Sequence, residues 1–140
     1  MTGNTDNYME LIYYSYPIKT FRESDISRML TQVRPKNHAM DVTGMLLYAN
    51  EQFLQVLEGR KKDVNQIFQS ISHDARHYDV NLISVRNIQQ RSFERWDMAF
   101  SGGDDVHHLG SQLNLADFNA ATLTPEEALA LAIRQNESGN

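Results

Sequence analysis

The sequence contains no cysteine. That one absence excludes a disulfide frame, a thiol nucleophile and a thiolate metal site. Basic residues are not in excess either: 13 Lys and Arg stand against 18 Asp and Glu, for a formal net charge of −5. The electrostatic footprint of a direct nucleic-acid binder is therefore missing, and the short cluster Arg60-Lys61-Lys62 does not restore it. No apolar run approaches the roughly 20 residues needed to span a bilayer. The polar start from Met1 to Asn7 lacks the charged and apolar regions of a signal peptide. These absences predict a cytoplasmic protein that engages neither nucleic acid nor membrane. A Gly-rich phosphate loop, a nucleophile elbow and a helical His-Glu-x-x-His are also absent, so a non-enzymatic role is expected.

What is present suffices for one domain. With 140 residues and 41% hydrophobic content, the chain can bury a single core but not two. Residues 1–7 are expected to be disordered. Tyr8 to Tyr16 is rich in aromatic and branched residues and stops at Pro17, which predicts strand 1, with Leu11, Tyr13 and Ser15 on one face and Ile12, Tyr14 and Tyr16 on the other. Thr20 to Glu23 fits a capping box, with Ser24 and Asp25 as competing caps. Ile26, Met29, Leu30 and Val33 then recur at i, i+3, i+4, i+7, so helix 1 is expected to run to about Pro35. Strand 2 is predicted over 41–48, and the short polar connection 49–52 leads into strand 3 as a hairpin.

Val64, Ile67, Phe68 and Ile71 predict helix 2 over 61–73, with partial alternation over 81–88 reading as strand 4 and 95–100 as strand 5. The fold class that follows is α+β: a ferredoxin-like β-α-β-β-α-β-β sandwich with two helices on one sheet face and C-terminal helices on the other. Residues 8–100 form the expected domain, and 101–140 a helical extension packed on the sheet or at an oligomer interface. In that extension Thr124, Pro125 and Glu127 make a strong helix start, and Ala128 to Ile133 is apolar nearly all round.

The stretch Phe53-Leu54-Gln55-Val56-Leu57-Glu58-Gly59 sets the functional question. Alternation places Gln55 between Phe53 and Leu57 on one face of a strand that otherwise reads as buried. An amide buried without partners costs roughly 2–7 kcal/mol. Gln55 therefore bonds a neighbouring protein group or water, lies on a solvated sheet face, or reads a ligand. The sheet could bring it together with Tyr13 on strand 1 and with Trp96 and Met98 on strand 5, with Asn37 at the edge. Asp74, Arg76 and His77 at the end of helix 2 would complete a cofactor slot between the helices, walled by Met29 and Ile71. Taken singly each has an ordinary structural use: a half-buried tyrosine, a loop cap, a core anchor, a filler. Two further candidates carry less. His107 and His108 point about 100° apart on a helix and have no carboxylate at ligand spacing, while Asp104-Asp105 after two glycines reads as a solvated loop.

Five of these segments in register resemble the BLUF family of flavin-binding blue-light sensors. They are Leu11-Ile12-Tyr13-Tyr14-Ser15, Asn37 six residues before Thr43-Gly44, the Phe53–Gly59 stretch, Asp74-Ala75-Arg76-His77 and Phe93-Glu94-Arg95-Trp96-Asp97-Met98. The resemblance covers residues 8–100 and resembles a short, stand-alone member. It implies a noncovalent flavin, FAD by preference with FMN or riboflavin as alternatives, its ring between helices 1 and 2. It further implies that Asn37 bonds the ring's carbonyl edge, that Met29 and Ile71 flank the ring, and that Asp74, Arg76 and His77 hold the pyrimidine edge and the chain beyond. Tyr13 would be the photochemical electron and proton donor and Gln55 the relay between it and the flavin. The product would be a thermally reversible, red-shifted state, passed through Trp96 or Met98 to the C-terminal helices and to an unidentified downstream protein. A homo-oligomer is expected. Lys36, just before Asn37, departs from the family's pattern. Two other readings compete: a small flavin-dependent reductase on a ferredoxin-like scaffold using the same slot, and a structural or oligomerisation protein without a ligand.

Overall fold

The structure of the protein is a computed structural model, and it describes residues 8–94, 98–102 and 118–138. Its elements are β1 (Tyr8–Pro17), α1 (Glu23–Ala39), β2 (Thr43–Ala49), β3 (Gln52–Arg60), α2 (Lys61–Ser72), β4 (His77–Asn87), β5 (Ala99–Gly102), a 3₁₀ turn (Ala120–Thr122) and α3 (Pro125–Ser138). The sheet order is β4-β1-β3-β2-β5. The first four strands are antiparallel neighbours and β5 lies parallel to β2. Each of the first two helices thus connects two strands that have a third between them, the split β-α-β arrangement of ferredoxin-like folds. No helix among the described residues is long and apolar enough to cross a membrane.

Strand alternation divides the core into two. Leu11 and Tyr13 of β1, Leu46 of β2 and Phe53 and Leu57 of β3 pack with Ile26 and Leu30 of α1 and Val64 and Ile67 of α2. The residues between them, Ile12, Met45, Leu47, Leu54 and Val56, pack instead with Ala128, Leu131 and Ala132 of α3. Ala128, Leu131, Ala132 and Gln135 recur at i, i+3, i+4, i+7 and are all buried, so α3 turns one stripe to the sheet. Its start is the expected capping box: the Glu127 N–H donates to Thr124 Oγ1 at 3.1 Å and the Thr124 N–H to Glu127 Oε1 at 2.9 Å. Ahead of it, Gln52 donates to the Phe118 carbonyl at 2.9 Å and accepts from the Ala120 N–H at 2.8 Å. The strand that carries Gln55 therefore also holds the chain that leads into α3.

Several boundaries depart from the periodicity. Helix α1 continues through Pro35 to Ala39, so Asn37 lies in its last turn rather than after it. The proline removes one backbone donor and costs about 3 kcal/mol in a helix interior. Tertiary contacts offset that: Asn37 is buried and its carbonyl accepts the Val42 N–H at 2.9 Å. Arg22 is the N-cap and its N–H donates to Asp25 at 2.9 Å, so Asp25 supplies the carboxylate instead of Thr20 to Glu23 forming the cap. The hairpin between β2 and β3 is tighter than expected, with Asn50 and Glu51 at φ 51° and 54°. Two consecutive left-handed residues are what a two-residue hairpin of matching twist requires. Strand β4 begins at His77, which pairs with Pro17, so His77 belongs to the sheet and not to the end of α2. Strand β5 is Ala99–Gly102, ending two residues past the expected end at Phe100, and pairs with the edge of β2 from Met45↔Ala99 to Tyr48↔Gly102, while residues 95–97 of the expected strand lie outside the described residues. Trp96, Asp104-Asp105, His107-His108, Leu109, Leu113 and Leu115 lie outside the described residues.

Gly44 has no room for a side chain: a Cβ there would sit 1.9 Å from the Val56 carbonyl oxygen across the β2–β3 pair. At Gly59 the nearest atom to such a Cβ, the Asp41 carbonyl oxygen, is 3.2 Å away. Gly44→Ala is accordingly expected to lower stability by about 1–3 kcal/mol or more, and Gly59→Ala by clearly less, measured as urea midpoints. Equal midpoints would mean that β2 and β3 do not pair this closely.

Candidate functional site

Tyr13 and Gln55 are direct partners across the β1–β3 ladder, and Leu46 faces Gln55 from β2. All three point to the side covered by α1 and α2. Tyr13 and Gln55 are 3% and 6% exposed, so the amide must be satisfied from within the protein. The Tyr13 hydroxyl donates to Gln55 Oε1. On the other side Gln55 Nε2 donates to Met98 Sδ at 3.2 Å. A thioether sulfur only accepts, whereas a phenol can donate or accept. The orientation with Oε1 toward Tyr13 and Nε2 toward Met98 satisfies both neighbours; the reversed amide would turn an oxygen toward a sulfur that has no proton to give. Met98 thus makes the two orientations unequal.

Above this pair, α1 and α2 enclose a cavity of about 170 Å³. Its apolar walls are Met29 and Val33 from α1 and Ile67 and Ile71 from α2, and Tyr13, Leu46, Phe53, Gln55 and Met98 form its floor. The polar lining comes from Gln32, Lys36 and Asn37 on α1, Ser70 on α2, and Asp74, Arg76 and His77 beyond it. Arg76 pairs with Asp74 through several N–H groups and reaches across to Gln32 Oε1 at 2.9 Å, so a polar bridge joins α1 to the turn that follows α2 at the cavity. His77 has both ring nitrogens engaged. Nε2 lies 2.6 Å from the Ile71 carbonyl and must donate to it, which leaves Nδ1 of the neutral ring to accept from the Ser15 hydroxyl at 2.7 Å. It ties β1, β4 and the end of α2 together while lining the cavity. Tyr13 is flanked by Phe68 and His77, with ring centroids 5.5 and 6.4 Å away.

Burial, and secondarily the charge of Asp74, pushes the Tyr13 phenol far above its ordinary range. Tyr13 is therefore protonated throughout the physiological range and remains a donor to Gln55. The side-chain hydrogen bond from Arg76 holds the Asp74 carboxyl below the usual carboxylate range. Arg76 is raised in return, first by that same bond. Among the described residues no group of three or more His, Asp or Glu could hold a metal ion.

A planar heteroaromatic ring with carbonyl and N–H groups along one edge fits this lining, because it needs apolar faces and a polar rim in one slot. The structure collects Tyr13, Met29, Asn37, Gln55, Ile71, Asp74, Arg76, His77 and Met98, all singled out from the sequence, around one cavity. The sequence reading missed Gln32, Val33, Leu46, Phe53, Ile67 and Ser70 as lining. Gln32, Val33 and Lys36 follow Met29 at i+3, i+4 and i+7, and Ile67 precedes Ile71 by four, so helical spacing alone would have found them.

The family model for BLUF, described as sensors of blue light using FAD, matches residues 8–99. The chain belongs to the BLUF family. As a BLUF protein it is a blue-light photoreceptor with FAD as its cofactor. The blue light- and temperature-regulated antirepressor BluF of Escherichia coli (strain K12) is 31% identical over 101 residues, which cover 69% of this chain and 25% of that protein. The photoactivated adenylate cyclase subunit beta of Euglena longa is 32% identical over 83 residues, 59% of this chain and 10% of the relative. The chain thus spans a quarter or less of these curated relatives. Among solved structures, BlsA in its photo-activated state has a TM-score of 0.75 at 27% identity, with 93% of each chain covered. The dark-state BLUF protein BlrB, at 24% identity, shares the fold over 96% of this chain and 98% of its own, with a TM-score of 0.78.

The lowered pKa of Asp74 has a measurable consequence. A carboxylate depressed in the folded state contributes stability above its unfolded pKa, near 3.9, and loses it as pH falls through the folded value. Wild type is therefore expected to be more stable than Asp74→Asn at neutral pH, with the difference closing progressively below about pH 4. Urea unfolding of both at a series of pH values measures it; a pH-independent difference would mean that Asp74 does not act as an ion.

Proposed function

We propose that the BLUF site works as a hydrogen-bond switch built from Tyr13, Gln55 and Met98, with the flavin held by Asn37, Asp74, Arg76 and the faces of Met29 and Ile71. The observation that carries this reading is the Tyr13–Gln55 hydrogen bond on the floor of the cavity, with the amide's other end on Met98. Bound oxidised flavin would supply the blue-light absorption and an excited state able to accept an electron from a nearby donor. Tyr13 is that donor. A phenol that has lost an electron is strongly acidic, whereas the intact phenol is held protonated by burial, so Tyr13 releases its proton only together with the electron. Gln55 Oε1 stands at the hydroxyl to receive that proton. Rotation or tautomerisation of Gln55 then exchanges its donor and acceptor ends. The electron returns to Tyr13 together with a proton from the Gln55 side chain, so no electron or proton is transferred overall, and the lasting change is the altered hydrogen bonding of Gln55 to Tyr13 and Met98. Relaxation of the amide restores the dark arrangement without net chemistry.

The output reading is that Met98 passes the change to β5, and that Gln52, three residues from Gln55 on β3, passes it to the segment before α3. Gln52 is bonded to Phe118 and Ala120, which supports that route. The relatives named an antirepressor and a photoactivated cyclase act on different downstream machinery. For this chain we infer a cytoplasmic, non-catalytic module that signals through a partner protein as a homo-oligomer.

Absorption spectra before and after blue light test the switch. Tyr13→Phe is expected to keep bound flavin and lose the reversible red shift, and Gln55→Leu to lose the shift with some loss of flavin affinity. A wild-type photocycle in Tyr13→Phe would remove Tyr13 from the donor role.

A further inference from the structure

We propose that Arg34 is a positioning residue for the photoswitch: it holds the Met98 backbone so that the sulfur stays the acceptor for Gln55. The proposal rests on the switch reading above. Arg34 lies on α1, one residue beyond Val33, and points away from the cavity lining toward the start of β5. Its Nε and Nη2 both donate to the Met98 carbonyl oxygen, at 3.1 and 2.8 Å, across a sequence separation of 64 residues. Two donors of one rigid guanidinium on one oxygen fix direction as well as distance, and a charged donor strengthens both bonds.

Met98 needs such a constraint. The β2–β5 register begins only at Ala99, opposite Met45, and β5 is four residues long. Methionine itself has three rotatable side-chain bonds and adapts readily to its surroundings. Yet the bias of Gln55 toward its dark orientation depends on an acceptor-only atom at one place, 3.2 Å from Nε2. The buried thioether provides that atom, and Arg34 sets where its backbone stands. Among the described residues Arg34 bonds the Met98 carbonyl and does not line the cavity, so its effect on the flavin environment is read through Met98.

The test compares flavin-loaded full-length wild type with Arg34→Gln, Arg34→Lys and, on the same helix, Arg28→Gln as a control. Remaking the Gln55–Met98 bond accompanies dark recovery, so Arg34→Gln is expected to slow recovery about three- to tenfold, the rate equivalent of one ordinary hydrogen bond. Part of the red-shifted absorption should already be present before illumination. Arg34→Lys, which keeps a cationic donor, should restore most of the wild-type rate, and Arg28→Gln should match wild type. On a Met98→Leu background Arg34→Gln should change recovery no further, because the atom it positions is gone. If Arg34→Gln folds poorly, Arg34→Met, which keeps the stem but no donor, is read the same way. Wild-type recovery and dark spectrum in Arg34→Gln, or in Arg34→Met where that variant is used, or an undiminished effect on the Met98→Leu background, overturns the proposal. A wild type with no reversible shift overturns the switch reading itself, a result distinct from both.

Discussion

Everything about this site depends on one buried amide that has two unlike neighbours. Gln55 faces a phenol that can give or take a proton on one side and a sulfur that can only accept on the other. The difference between its two orientations is then about one hydrogen bond, within the 0.5–1.5 kcal/mol of an ordinary neutral one. That is small enough to be overturned by an absorbed photon and large enough to be restored at thermal energies. Two strong donors or two strong acceptors around the amide would give either no preference or an arrangement too stable to switch.

The sheet gives that amide its reach. β3 is the central strand, bonded to β1 and β2, and its two faces belong to different cores. Phe53, Gln55 and Leu57 belong to the α1–α2 side, while Gln52, Leu54 and Val56 face α3. A change at Gln55 therefore needs to travel only along one strand to reach the hydrogen bonds that hold Phe118 and Ala120. Glu58 on the same strand accepts from the backbone N–H groups of Ser92 and Phe93 at 2.9–3.0 Å, so the chain leading toward Met98 is anchored to β3 as well. Burial, beside Glu10, pushes the Glu58 carboxyl upward, and its backbone hydrogen bonds pull the other way.

Likeness to relatives of much greater length fits this economy. A domain whose proposed switch, cofactor slot and helix-bearing face all meet on one strand can be joined to different machinery without rebuilding the slot. The likeness to BlsA extends over 93% of this chain, and so runs beyond the 8–99 span of the family model.

The sequence by itself determined the elements with strong local physics. Alternation in β1 and β3 assigned Tyr13 and Gln55 to one face, i, i+3, i+4, i+7 spacing marked the inner stripes of α1 and α2, and Thr124 with Glu127 marked the start of α3. The family's motifs, in register over 8–100, named the cofactor. Tertiary structure decided what no local signal encodes. Helix α1 passes Pro35 and buries Asn37 in its last turn, His77 joins β4 with its ring bonded to Ser15 and Ile71, and β5 takes its register from the edge of β2. Above all, which residue receives the second end of Gln55, and that Arg34 holds that residue from 64 positions away, follows only from packing. Hydrogen bonds between side chains distant in sequence leave no period in it; they exist only once the strands and helices have met.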